Sequence, residues 1–264
     1  MDLFEFKPGD GSLIVSIPHA GTRVPDRLFE RLTPEARRLA DTDWHLPQLY
    51  DFVWDGNATV LAARYSRYVI DLNRAPDNEA LYPGRYETRV CPTETFAGAP
   101  LYEKGRELHE SEIEERLADF WRPYHEALRR ELNRVRGLHG FAVLFDAHSI
   151  CNRLPRMFDG VLPDLNFGTS GGQSCAVDLA ARIVAAAKQA GSYSTVLDGR
   201  YKGGYITRHY GRPGEGVHAI QLELSQDTYM NQFYPFEFSD EKARHVRPTL
   251  QRILAVLGSA RPSS

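Results

Sequence analysis

The sequence predicts one α/β domain, a three-layer sandwich on a mixed, largely parallel sheet. Short apolar, β-branched runs alternate with longer helical patterns, as they do where strands are joined by crossover helices. No internal repeat and no linker rich in Pro, Gly or Ser divides residues 1–264, which are read as a single domain. The composition, 42% hydrophobic and 25% charged, is that of a soluble globular chain. A chain of this size buries roughly three quarters of its unfolded surface, enough for a full core and a deep cleft.

The runs Leu13–Ile17, Ala58–Ala62, Tyr68–Leu72, Phe141–Phe145, Ser194–Leu197 and Val217–Leu224 read as buried strands. Helices fall between them. Leu46–Val53 follows the acidic cluster Asp41-Thr42-Asp43-Trp44-His45, in which either aspartate suits an N-cap. Ser111 opens a long helix. Ile113, Leu117, Phe120, Trp121, Tyr124, Leu128, Leu132 and Val135 recur at helical spacing as one buried stripe. Ser111 with Glu114 matches a capping box, and Pro123 is expected to bend or split the helix. Cys175–Ala190 is Ala-rich and helical, with Gly191 as a natural stop. Asp240–Leu257 is another helix, ending at Gly258, and Ser259–Ser264 reads as a frayed tail.

Charge and cysteine usage narrow the function. A formal net charge of −3 argues against a general nucleic-acid binder. Three cysteines with no C-x-x-C pair exclude a disulfide scaffold or zinc ribbon and point to a reducing compartment. Met1 to Asp10 lacks the basic and apolar regions of a signal peptide, and no apolar run approaches the ~20 residues of a membrane helix. A cytoplasmic protein with no membrane partner is expected.

Ligands in α/β sheets bind beyond the carboxyl ends of strands, so polar residues there carry the chemistry. His19 follows the first strand, with the small residues Ala20 and Gly21 leaving room for a ligand. Taken alone, it reads best as a turn histidine bonded to backbone. Asp146 and His148 alternate at the end of another run and point to one side, so Asp146 can orient the imidazole. Two strands thus bring a histidine to the same sheet end, which packing alone does not explain. Glu223 interrupts the apolar run Val217–Leu224, and a buried Glu is rare unless paired or functional. The structural alternative is an ion pair with a core arginine. A hydrolytic zinc site keeps three protein ligands and a water. The third ligand is sought among Asp41, Asp43 and His45, with Asp43 preferred.

Arginines gather nearby. Arg67 precedes the apolar run at 68–72, and Asn73-Arg74 follows it. Arg156 lies in Asn152–Gly160 and Arg208 in Gly203–Gly211. A guanidinium binds carboxylate through two parallel hydrogen bonds, and a neighbouring amide adds direction. Arginines converging beside a metal, in a net-negative chain, point to a small anionic substrate.

These segments resemble the N-formylglutamate amidohydrolase family. The likeness runs from Ile17-Pro18-His19-Ala20-Gly21 through Asp41–His45, Asp146-Ala147-His148-Ser149 and Pro155–Gly160 continuing to Thr169, then to Gln221–Leu224 and Tyr229. It implies a zinc-exopeptidase-like α/β fold and hydrolysis of N-formyl-L-glutamate to L-glutamate and formate, a last step of histidine breakdown. Asp71-Leu72-Asn73-Arg74 is similar, more distantly, to a motif of the aspartoacylase and succinylglutamate desuccinylase group. That likeness implies that Asn73 and Arg74 hold a substrate carboxylate and that Arg67 polarises the scissile carbonyl. The chain departs from that group at Thr22, where a Glu ligand would stand, and from its nearer family at Cys151, where an Arg is usual.

The expected mechanism uses one divalent metal ion, most simply Zn2+, on His19, Asp43 and His148. Glu223 is the general acid and base, and Arg67 helps hold the oxyanion. Asn73, Arg74 and one or more of Arg156 and Arg208 hold the two carboxylates. A Ser149–His148 nucleophile pair is disfavoured because neighbours on a strand face opposite sides. Cys151 and Cys91 lack an evident partner. The alternatives are a metal-free binding protein for acidic amino acids, an amidohydrolase for another N-acyl acidic amino acid, and a cell-wall amidase of related fold.

Overall fold

The computed structural model describes residues 2–81, 84, 86–189 and 191–261. Ala190 and residues 262–264, at the ends of an expected helix and tail, lie outside them. The strands are β1 (Phe4–Lys7), β2 (Leu13–Ile17), β3 (Thr59–Ala63), β4 (Ala142–Ile150), β5 (Leu165–Gly168), β6 (Thr195–Leu197) and β7 (Val217–Ser225). They form one seven-stranded sheet in the order β1-β3-β2-β4-β7-β5-β6. β3, β2, β4 and β7 are parallel, whereas β1 and β5 join them antiparallel and β6 pairs parallel to β5. The sheet is mixed, as expected. β1 and β5 are not anticipated from the sequence, each being only 4 residues long.

The helices are α1 (Asp26–Phe29), α2 (Leu46–Leu49), α3 (Glu110–Arg116), α4 (Arg122–His139), α5 (Val177–Lys188), α6 (Tyr205–Tyr210) and α7 (Asp240–Gly258). Alternate strand residues feed two apolar clusters, one on each face of the sheet. Val15, Val143, Phe145 and Ile220 pack with α2, α5 and α7 on one face; Ile14, Ala142, Leu144 and Ala219 pack with α4 on the other. Among the described residues no helix is long and apolar enough to cross a membrane.

Several local expectations are corrected. Tyr68–Leu72 is not a strand but part of a turn, although Tyr68, Val69, Ile70 and Leu72 are buried. Its apolar side chains pack into the α4 cluster without joining the sheet. The long helix begins at Glu110, one residue before Ser111, because the Glu112 carboxylate accepts the His109 N–H at 3.0 Å. Pro123 does not split it. A π-turn, Leu117–Trp121, joins α3 to α4 just before the proline. Proline has no N–H for the α-type bond back to residue 119, so the wider turn forfeits nothing there. Neither Asp41 nor Asp43 caps α2, whose N-cap is His45 with φ 61°. Gly21 serves the backbone and does not make ligand space, since a Cβ there would lie 2.3 Å from the Tyr65 carbonyl oxygen.

Candidate active site

The site forms where the α4-side apolar cluster runs out. Along that pleat of β4, Ala142 and Leu144 give way to Asp146 and His148. On β7, Val217 and Ala219 give way to Gln221 and Glu223. The register sets Asp146 beside Gln221 and His148 beside Glu223, while Ser16 of β2 pairs with Asp146. His19 lies two residues beyond β2. The polar groups therefore emerge together at the carboxyl ends of parallel strands.

His19, Asp43 and His148 are all buried, with candidate ligand atoms within 4.8 Å of one another. His148 Nδ1 lies 3.2 Å from Asp43 Oδ2, and His19 Nδ1 lies 3.9 Å from the same oxygen. Each opposite ring nitrogen meets a different carboxylate. His19 Nε2 is 2.8 Å from Asp71 Oδ1, and His148 Nε2 is 2.9 Å from Asp146 Oδ2. Carboxylates placed this way fix the rings behind a metal and point the Nδ1 atoms at it. His19 Nδ1 is buried and has no hydrogen-bond partner, a costly state unless another group satisfies it. Two imidazole nitrogens and one carboxylate oxygen also suit a divalent first-row cation. The residues present therefore fit a metal.

Electrostatics divide the pair. Burial and then the Arg67 charge lower the His19 value, with Asp71 opposing. Burial also acts downward on His148, but the Asp146 and Asp43 carboxylates outweigh it and hold the ring well above its usual range. Burial pushes Glu223 up to about 8, against the pull of His148. Its carboxylate accepts from Gln221 Nε2 at 3.3 Å, and among the described residues it forms no ion pair with an arginine. Asp43 Oδ2 also accepts the Ser149 N–H at 3.1 Å.

The rival ligands face elsewhere. Asp41 Oδ2 accepts the Phe96 N–H at 2.8 Å, and burial pushes that carboxyl up to about 6. His45 Nε2 meets the Phe236 carbonyl at 2.7 Å. Ser149 Oγ is 2.6 Å from the Tyr229 hydroxyl, so it is not aimed at His148. Cys151 Sγ donates to the Arg153 carbonyl, and burial pushes the Cys91 thiol up to about 11.

A cleft over the cluster is lined by Arg67, Asn73, Arg74, Gln221 and Glu223, with Phe96, Ile150 and Met157 as an apolar wall. Arg67 Nη2 donates to Asp71 Oδ2 at 2.6 Å, and its guanidinium lies 4.6 Å from the Phe96 ring centre. Asn73 Nδ2 donates to Asp146 Oδ2 at 3.2 Å, and Asn73 Oδ1 accepts the Ile206 N–H at 2.7 Å. Gly204 admits that amide, because a Cβ there would fall 2.5 Å from Asn73 Cγ. Arg74 Nη1 pairs with Glu87 at 3.1 Å and its Nε donates to Thr88 at 3.2 Å. Arg156 and Arg208 are not in the cleft lining. Arg156 pairs with Glu94 and lies over Tyr86, while Arg208 donates to the carbonyls of Gly203 and Leu81.

Two contributors are given no role by the sequence reading, although both fall in segments it singles out. Asp71 bridges His19 and Arg67. Gln221 binds Glu223 and, through Oε1, the Gly204 N–H at 2.8 Å. Gln221 does leave a signal, a second polar residue two positions before Glu223 on the same pleat.

Comparison with known proteins identifies relatives of nearly the whole chain. Residues 11–230 match the family model described as N-formylglutamate amidohydrolase. The chain is 48% identical over 255 residues to an N-formylglutamate deformylase of Pseudomonas putida, covering 97% of this chain and 95% of that one. It is 46% identical over 256 residues to an N-formylglutamate deformylase of Pseudomonas aeruginosa, covering 97% and 96%. A crystal structure of N-formylglutamate amidohydrolase from Ralstonia eutropha JMP134 shares the fold, with a TM-score of 0.83 at 24% identity over 97% of this chain and 98% of that one.

Proposed function

The chain belongs to the N-formylglutamate amidohydrolase family, and from that premise we propose that it hydrolyses N-formyl-L-glutamate to L-glutamate and formate. One divalent metal ion, zinc by preference, is held by His19, Asp43 and His148. The observation that carries this reading is the buried, partnerless His19 Nδ1 facing Asp43 beside Glu223. When bound, such a cation supplies Lewis acidity, polarising the formyl carbonyl and lowering the pKa of water to roughly 7.

The chain's own residues supply the rest. Glu223 takes a proton from the attacking water and delivers it to the leaving nitrogen. Its burial favours the protonated form, which suits a group that must hold a proton before delivering it. Arg67, fixed by Asp71 and Phe96, holds the oxygen that gains negative charge, and being preformed it needs no reorganisation. Asn73 keeps the ring of His148 and the carboxylate of Asp146 in register while its neighbour Arg74 meets a substrate carboxylate. Arg156 or Arg208 serves the other carboxylate on leaving its present acceptor. The strand-end histidines give the sandwich a zinc-exopeptidase-like character, and the reaction suits histidine degradation in the cytoplasm.

The test is amino-acid release from the N-formyl, N-acetyl and N-succinyl forms of Glu and Asp, with and without chelator. N-formylglutamate should be the best substrate, with turnover lost on chelation and restored by Zn2+. Full turnover after complete metal removal would overturn the metal site. Equal turnover of N-succinylglutamate would overturn the substrate assignment.

A further inference from the structure

The turn at 67–74 delivers Arg67, Asp71, Asn73 and Arg74 to the site, yet it belongs to no strand or helix. Buried carbonyls in such a segment need donors from elsewhere. Three come from one helical element. Arg116 Nη1 donates to the Val69 carbonyl at 3.1 Å. His125 Nε2 lies 2.9 Å from the Leu72 carbonyl, and Trp121 Nε1 donates to the Arg74 carbonyl at 3.1 Å. All three side chains are buried, and the Trp121 and His125 rings stack with centres 3.8 Å apart.

The spacing of these donors is not α-helical. Residues 116 and 121 would lie roughly 140° apart around a regular α-helix. The π-turn Leu117–Trp121 absorbs the extra residue and returns Trp121 to the face of Arg116. His125 follows one ordinary turn later. The widened turn therefore aligns three donors on one strip of backbone.

We propose that the π-turned helix α3–α4 is a clamp that sets the 67–74 turn, with Trp121 and His125 as positioning residues for Asp71, Asn73 and Arg74. Through Asp71 the clamp reaches His19 and Arg67. Its mechanical part stands on the geometry alone, while its effect on turnover rests on the proposed hydrolysis of N-formylglutamate.

The test uses the full chain and the variants Trp121→Phe and His125→Phe, which keep a ring and remove the donor. Losing one buried hydrogen bond of about 1.4 kcal/mol corresponds to a tenfold change. Backbone amide exchange within 67–74 should rise about tenfold in either variant, with the amides of β4 unchanged. The kcat/KM for N-formylglutamate should fall about tenfold. Trp121→Phe should act mainly on KM, through Arg74. Unchanged exchange at 67–74 would overturn the clamp. Faster exchange there with wild-type kcat and KM would overturn the positioning role and leave a purely structural one. If the wild-type chain does not turn over N-formylglutamate, the functional reading fails, and the exchange comparison still decides the clamp.

Discussion

The floor of the cleft and its arginine wall are built by different means. On the floor, His19, His148 and Glu223 are placed by strand ends and sheet register, and each histidine is backed by a carboxylate. On the wall, Arg74 lines the cleft while Arg156 and Arg208 lie beyond its lining; all three sit outside the sheet, and each is held by an acceptor of this chain: Glu87, Glu94 and the Leu81 carbonyl. Reaction chemistry is thus fixed with the fold. On the proposed reading, recognition falls to guanidiniums that a substrate must share with, or draw away from, internal partners.

The largest effects should come from the floor. His19→Ala and His148→Ala should each abolish stoichiometric metal binding, read by metal analysis of the purified protein, and turnover should fall with it. Glu223→Gln should keep the metal and lose about two to four orders in rate, since the amide preserves shape and removes the proton carrier. Near-normal turnover in Glu223→Gln would reduce Glu223 to a buried structural charge and erase the contrast with the wall.

The wall should respond more gently, and unevenly. Arg74 lines the cleft, so Arg74→Ala should lower kcat/KM about ten- to a hundredfold, the worth of a charge-assisted hydrogen bond. Arg74→Lys should lose less, keeping charge without the fork. A double-mutant cycle against amide analogues of each substrate carboxylate measures the coupling. No coupling to either would leave Arg74 a partner of Glu87 alone.

The same division governs what the sequence can show. His19, His148 and Glu223 are legible because a polar residue in or just after an apolar run stands out. Asp71 stands out in the same way, but its role does not, because Tyr68–Leu72 carries the apolar pattern of a strand while it is a turn whose carbonyls are met by helix side chains, and that turn is what brings Asp71 to His19 and Arg67. The π-turn is equally hidden, since spacings of three and four tolerate one slipped residue. Glu87 and Glu94 lie 13 and 62 residues from the arginines they hold, and nothing local marks them. Asp41 and Asp43 are two residues apart, and only the distant N–H groups of Phe96 and Ser149 separate their roles.

That separation predicts a pH effect on stability. Burial holds the Asp41 carboxyl at about 6, above its ordinary 3.8. Its folded value lies above the unfolded one, so its contribution is complete below pH 3.8 and is lost as pH rises through about 6. Asp41→Asn, which can still accept the Phe96 N–H, should raise the Tm of metal-free protein by a few degrees at pH 8. The gain should vanish near pH 4. A pH-independent difference in thermal scans would show that the carboxyl ionises freely.

Arg156 should matter least of the residues discussed. Its guanidinium lies 4.0 Å from the Tyr86 ring centre and pairs with Glu94 outside the cleft lining. The pair is partly exposed, at 35% and 42%, where solvent screens an ion pair and it adds little stability. Arg156→Ala should therefore change Tm little. If Arg156 stays with Glu94 during turnover, kcat/KM should fall less than threefold. If it swings to a substrate carboxylate, the loss should approach that of Arg74→Ala, and Glu94→Gln should lower KM by freeing the guanidinium. Measuring both variants on N-formylglutamate distinguishes a wall with one working arginine from a wall with two.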